Sequence, residues 1–501
     1  MGSWIETFPL LSILLAMTAG LIGSVMSNGR RAFYLTMAVN GVLAVMSGMV
    51  LYYTLHFDTS ISWAIGSRDL LWVGPLQALL ATMFCAVMGV SLAGGVRDLF
   101  RDVPPHSFYF TSAELLMTAL LVLLYTNEVF VGFVFLEVST IAACVLIIAK
   151  GSGPNFLAGI RYLYMSLLGS GLFLLGIAFC NGLAGSLMMP GLREAVTALH
   201  ADGAYYVPLV VAIGLLVAGL GIKCAMFPFY LWLPDAHGGT TTCSSAILSG
   251  LMLKGGVVFL ITLMIRGFSL ELLADLGVSD VLLMVGVMGM ITGSLAATRE
   301  RHIKRMLAYS TAAQLGYIFV GLGLGTTAGI VASCFHILVH ACCKPLLFLC
   351  AGRLSDVSGH HRSLWNLRGS AYRDVVAGTG FTIGALSMIG IPLFGGFVSK
   401  LYLASAALPT NRTTLTLLTI ALSTVLNALY YVPAVLAIWE HPPVKEEAAI
   451  RAENDMAEVT PDHSFVASAV LLMLGIFVLG IFYHPITDII DAGVQLMSAV
   501  G

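Results

Sequence analysis

The chain has 501 residues, of which 58% are hydrophobic and only 10% charged, and its formal net charge is −2. Soluble domains carry about 25% charged residues, so a soluble globular protein is excluded, and with no basic tract nothing points to nucleic acid. Apolar runs of about 18 residues or more recur from end to end, each long enough to cross a bilayer as a helix, without the short alternating segments of a barrel.

Read with a window of about 19 residues, these runs predict an all-α polytopic membrane protein of about fourteen transmembrane helices. In chain order the spans lie near 8–26, 32–54, 74–95, 109–126, 129–149, 157–180, 205–232, 241–266, 276–298, 304–323, 325–350, 375–405, 413–439 and 464–485. The first, from Pro9 to Val25, lacks a basic leader and a small-residue cleavage site, and is expected to be a retained span. Glu114 and Glu128 fall near span ends and are expected to be solvated. The polar stretch 440–463 reads as a solvated linker or as a docking surface for a partner subunit.

Charge tests the span count independently. Sixteen of the 24 Lys and Arg residues fall in loops that follow odd-numbered spans, among them Arg30, Arg97, Lys150, Arg301, Lys304 and Arg451; only Arg68, Arg193, Arg266 and Arg412 follow even-numbered ones. Positive charge stays in the cytoplasm, so odd loops are expected inside and both termini outside.

The remaining four basic residues, Lys223, Lys254, Lys344 and Lys400, lie within spans, with Glu137 in span five and His336 and His340 in span eleven. A lysine at a helix centre costs about 2.5–3.5 kcal/mol on insertion scales, so four of them ask for a reason. Two spans are also broken. Span seven holds Pro228 and Pro234, and span twelve holds Pro392 among Gly390, Gly395 and Gly396. Proline removes a helix donor and clashes with the preceding turn. Interrupted spans at matching positions mark the ion path of repeat-built transporters. Here they are five apart, so spans 4–8 and 9–13 are expected to form two inverted five-helix repeats. The expected divisions are 1–104, 105–270, 271–440 and 441–501.

A lysine taken out of water gives up its proton more easily, and a carboxylate beside it reverses that. Rows of such groups serve as proton relays. Glu137 and Lys223 are natural partners, against the plainer reading that Glu137 only satisfies a neighbouring helix. Lys254 is too central to reach the membrane surface, whereas Lys400, in the outer half of its span, could snorkel. His336 and His340, four apart, share one helix face; proton transfer, core packing and metal ligation are the alternatives, and no third metal ligand is apparent. Lys344, near a helix end before Pro345, reads equally as structural or accessory. The nine cysteines show no CxxC or zinc spacing. No cofactor and no resident metal is expected, and whether the chain is an enzyme stays open.

The stretches "FVFLE", "FPFYLWLPDAH", "LSGLMLKGG", "HIKRMLAYSTAAQLGYIFVG", "FHILVHACCKPLLFLCAG" and "IPLFGGFVSKLYL" resemble the antiporter-like subunits of the complex I superfamily. That superfamily includes the M-, N- and L-type subunits of NADH:quinone oxidoreductase and the large subunits of multisubunit cation/proton antiporters. It also includes membrane subunits of energy-converting hydrogenases and formate hydrogenlyases. The match runs from about residue 105 to 440. The resemblance implies fourteen core helices with helices seven and twelve broken. By matched motif, Glu137 and Lys223 form the gating ion pair, Lys254 is the central relay lysine, His336 and His340 are relay histidines, and Lys400 is the last residue before proton exit. It implies other membrane and peripheral subunits as partners, membrane lipid around the chain, H⁺ or Na⁺ as the ion, and a prokaryotic-type inner membrane. The chain departs from the family in three places. Lys400 stands where M-type relatives have Glu, "TTTCSSA" replaces the usual segment after the broken helix, and the long lateral helix of the L-type is not expected.

Overall fold

The computed structural model describes residues 2–103, 106–441 and 462–500. Most of the 440–463 stretch therefore lies outside the described residues. In chain order the first half comprises α1 (Gly2–Val25), α2 (Gly29–His56), strands β1 (Ile61–Ile65) and β2 (Arg68–Val73), α3 (Pro75–Gly94), α4 (Val96–Asp102), α5 (His106–Tyr125), α6 (Val129–Ile148), α7 (Gly153–Ala184), α8 (Met189–Ala201), α9 (Tyr206–Lys223), α10 (Leu233–Gly239), α11 (Thr242–Ile247) and α12 (Leu253–Thr262). There follow α13 (Leu270–Asp275), α14 (Val278–Arg299), α15 (Ile303–Gly323), α16 (Thr327–Asp356), α17 (Ser370–Arg373), α18 (Val375–Ile389), α19 (Gly395–Ala407), α20 (Thr413–Trp439), α21 (His463–Ile481) and α22 (Tyr483–Val500).

Among the described residues, 12 helices are long and apolar enough to cross a membrane. The two further spans read from the sequence are also helical. Span ten is α15, which opens on the charged pair Lys304 and Arg305; span twelve is divided between α18 and α19. Helix starts are set by side chains that cap free backbone N–H groups. Glu128 accepts from Val131 at the start of α6, Thr326 from Gly329 at α16, and Asp374 from Ala377 at α18. In "TTTCSSA", the Thr241 hydroxyl accepts from Ser244 N at 3.0 Å and starts α11.

Both breaks have residues without the freedom of glycine in left-handed backbone: Ala225 at φ 54 and Leu393 at φ 88. Such conformations cost about 1–3 kcal/mol each. Span seven runs further than the sequence reading placed it. α9 stops at Lys223, a 3₁₀ turn forms at Phe229–Trp232, and α10 continues to Gly239. Pro228 lies in the break, while Pro234 sits in the first turn of α10, where its missing N–H costs nothing.

Several elements lie outside the predicted spans: the short helices α4, α8, α13 and α17, a β-hairpin and α22. β1 and β2 pair antiparallel through a two-residue Gly66–Ser67 turn, with Gly66 at φ 64. Arg266, assigned from the sequence to a loop, is buried beneath this hairpin; its guanidinium stacks 4.2 Å from the Trp72 ring and donates to Asn127 at 3.1 Å. α22 packs along α3 and α16, with Ile490, Val494 and Met497 buried.

Candidate functional site

α6 presents Glu137 to the end of α9. Lys223, the last residue of α9 before the break, places its Nζ 3.0 Å from Glu137 Oε1 and donates to the Thr140 hydroxyl at 2.9 Å. Ser170 of α7 donates to the same carboxylate oxygen at 2.6 Å. The pair is unequally covered: the Lys223 side chain is 5% exposed and that of Glu137 30%. The carboxylate thus opens on the flank of the chain.

Lys254 is fully buried, just after a π turn at Leu248–Met252. Its ammonium donates to the Ser249 carbonyl within that turn, and no ion pair of the described residues reaches it. Gly256, two residues on, lets α12 close against the α9 break; a Cβ there would lie 2.7 Å from Cys224 Sγ. Lys254 therefore lies on the helix that touches the residue after Lys223.

His336 and His340 are both buried in α16, with ring centroids 6.1 Å apart. His336 Nδ1 meets Ser399 Oγ at 3.0 Å, and its ring stacks on Tyr317 at 5.4 Å. Its Nε2 and both nitrogens of His340 have no partner among the described residues. Lys400 lies over the other side of this cluster, with Nζ 5.1 Å from the Tyr317 ring centre. It does not snorkel. It folds into the break of span twelve and donates to the carbonyls of Met388 at 3.2 Å and Ile389 at 2.6 Å, at the end of α18, and to Thr424 at 3.2 Å. The negative end of a helix dipole favours a cation there. Gly390, at φ 95, leaves room for it; a Cβ would stand 3.0 Å from Lys400 Cδ. Pro392 lies exposed in the same break.

Lys344 is also fully buried, and donates to the Leu307 carbonyl at 3.1 Å, to Ser310 at 2.8 Å and to the Tyr431 hydroxyl at 3.2 Å. The structure thus brings Lys400, Tyr317, His336 and His340 into one cluster and joins Glu137 to Lys223. Lys254 stands between the two groups without a direct bond to either among the described residues.

Three further buried ionisable residues were not among the site residues read from the sequence. His237, in the "PDAH" of α10, is buried and stacked 4.8 Å from Phe348, with both nitrogens unpartnered among the described residues. The signal for it was its place just after the break. Lys304 is not a solvated loop residue. It is 2% exposed and donates to the Thr240 carbonyl at 3.3 Å and the Thr242 hydroxyl at 3.2 Å. It lines a polar cavity of about 160 Å³ with Asp98, Asp102, Lys150 and Asp356, at the end of the bundle where the basic loops gather. Burial alone would push the Asp102 carboxyl up; hydrogen bonds from Arg101 and Lys150 outweigh it and hold the group at about 2. Glu114 is the third: it is not solvated but 1% exposed, because residue 106 begins α5 below it and α1 and α2 cover it.

These features define a predominantly helical, multi-pass membrane protein with a row of buried ionisable side chains beside two broken helices. No group of three or more metal-ligating side chains occurs among the described residues. The chain belongs to the NADH:quinone oxidoreductase/Mrp antiporter transmembrane family, whose model matches residues 126–426. It is 32% identical over 369 residues to an N-type subunit of the NADH-quinone oxidoreductase of Desulforudis audaxviator, covering 72% of this chain and 71% of that one. It is 30% identical over 345 residues to a D-type subunit of the Na⁺/H⁺ antiporter of Alkalihalophilus pseudofirmus, covering 67% and 68%. Its fold matches a chain of the membrane-bound sulfane sulfur reductase, an archaeal respiratory membrane complex, with a TM-score of 0.84 at 22% identity, covering 99% of this chain and 97% of that one. It matches a chain of the Mrp complex from Dietzia sp. DQ12-45-1b equally, at 0.84 and 22%, over 99% and 98%.

Proposed function

We propose that the chain is a proton-translocating, antiporter-like subunit of a redox-driven, complex I-related assembly in a prokaryotic-type inner membrane. The observation that carries this reading is the row itself: one Lys–Glu pair, then buried lysines bonded only to neutral carbonyls and hydroxyls, and two buried histidines of which one meets a serine hydroxyl and the other has no partner among the described residues. A structural role gives no reason to keep unpaired basic groups in a membrane interior. In this reading the Lys223 proton is held by Glu137. When that contact loosens, the proton passes by water to Lys254, on to His340 and His336, and to Lys400, from which it leaves on the outer side. The breaks at Pro228 and Pro392 open backbone and admit water beside the lysines, and Lys344 is an accessory group on the same helix as the histidines. The row spans both proposed repeats, 105–270 and 271–440.

The N-type relatives and the sulfane sulfur reductase neighbour favour a redox partner. The D-type antiporter relative and the Mrp neighbour favour a second reading, a subunit of a multisubunit Na⁺/H⁺ antiporter without redox chemistry. The deciding experiment is isolation in mild detergent, identification of the co-purifying chains, and reconstitution with a pH-reporting dye. Proton movement driven by an electron donor supports the first reading. Exchange driven only by a Na⁺ gradient supports the second and overturns the first.

A further inference from the structure

Glu114 takes no part in the row described above. On α5, Tyr109 bonds Ser244 of α11 at 2.9 Å, and Leu120 packs against Gly255 of α12. With about 100° per residue, Glu114 comes out on the other face of α5, toward α1 and α2. A methyl group added at Gly20 of α1 would meet Glu114 Cβ at 3.3 Å, so the glycine lets α1 close over the carboxyl. Glu114 and Asn40 of α2 are each 1% exposed.

Their hydrogen bonding is incomplete in a specific way. Asn40 Nδ2 donates to Glu114 Oε1 at 2.7 Å and to the Thr36 carbonyl at 3.0 Å, which uses both amide hydrogens. Glu114 Oε2 and Asn40 Oδ1 are left without a partner among the described residues. Both orphans are acceptors, and they belong to the two side chains of a single hydrogen bond. The groups that face the carboxyl are Asn40 and Thr36 on α2, Gly20 on α1 and the Cys85 thiol on α3. No ion pair of the described residues reaches Glu114.

We propose that Glu114 and Asn40 form a buried proton-binding site between spans one, two and four, separate from the row, in which the carboxyl is held as the neutral acid. A carboxylate in this interior has no cation to compensate its lost hydration. A proton on Oε2 removes that charge and supplies the missing donor to Asn40 Oδ1. The acid and the amide then pair by one N–H···O and one O–H···O bond, and every orphan is satisfied. A hard metal cation takes about six or more oxygen ligands, and the pair offers only two free ones, so the occupant is a proton.

Infrared spectroscopy on the full chain, purified with its co-purifying partners, tests this. At neutral pH the wild type should show the carbonyl stretch of a neutral carboxylic acid, shifted in D₂O and lost in Glu114→Gln. That variant keeps the shape and both hydrogen bonds, so it should melt at the wild-type temperature. Asn40→Leu should keep the band and move it to higher frequency, since the carbonyl loses its N–H donor; an unmoved band would break the pairing. Labelling glutamate with ¹³C in the unsubstituted chain reads the same question without relying on a variant. No shifted acid band, or a wild-type minus Glu114→Gln spectrum with only carboxylate bands, overturns the proposal. So does a melting temperature that Na⁺ raises in the wild type and not in Glu114→Gln.

Discussion

Glu137 and Lys223 lie 3.0 Å apart with unequal cover, which separates what each substitution does. Lys223→Met removes a buried charge and leaves a carboxylate that is only partly covered. Glu137→Gln leaves a covered ammonium with only neutral acceptors, the Thr140 hydroxyl and an amide oxygen at 137. Each should impair proton translocation in reconstituted vesicles, and the double variant should fall short of additivity, with a coupling of about 0.5–3 kcal/mol as for residues in contact. Independent effects would mean that they do not work as a pair. Lys400 is argued differently, because its partners are carbonyls. If it holds the proton before release, the site needs a titratable group rather than a fixed positive charge. Lys400→Met should nearly abolish translocation and Lys400→Glu should keep part of it, measured with assembly intact. Wild-type pumping by Lys400→Met would reduce Lys400 to a cap on the end of α18.

At the scale of the elements, the break in span twelve depends on close approach as much as on proline. A Cβ at Gly396 would lie 1.7 Å from the Ser387 carbonyl oxygen, so α19 touches the backbone of α18. Gly396→Ala should therefore cost about 1–3 kcal/mol, as overpacking usually does, seen as a lowered melting temperature. Gly41 in α2 has nothing within 4 Å, and Gly41→Ala should instead be neutral or stabilising by about 0.5–1 kcal/mol. If the two variants melt alike, the contact between the half-helices is not holding the break. The hairpin and α22 escaped the sequence reading for one reason. A hydropathy window tuned to membrane crossing sees neither a two-residue turn nor a helix with one apolar face.

For the whole molecule, the basic-residue split orders the loops, and it can be tested with few additions because the nine native cysteines are all buried. Ser67→Cys, in the hairpin turn after span two, should react from outside. Ser152→Cys, in the loop after span five, should react only from the cytoplasm. Gln495→Cys on α22 should follow Ser67. Labelling of Ser67→Cys and Ser152→Cys from the same side would overturn the span numbering between them.

What the sequence determined by itself was set by cost. Lys223, Lys254, Lys344 and Lys400 stand out because lysine is expensive in a membrane wherever its partners lie, and the spans stand out because their apolar length is a local property. Even the breaks were legible, since Pro228 and Pro392 act on their own helices. Tertiary structure alone decided who meets whom. It paired Lys223 with Glu137, far apart in the chain, turned Lys400 inward instead of outward, and buried Lys304, Glu114 and His237, which look ordinary at the ends of apolar runs. Burial near a helix end depends on which neighbouring helices extend past it, and that is a property of the packed bundle and of no single segment.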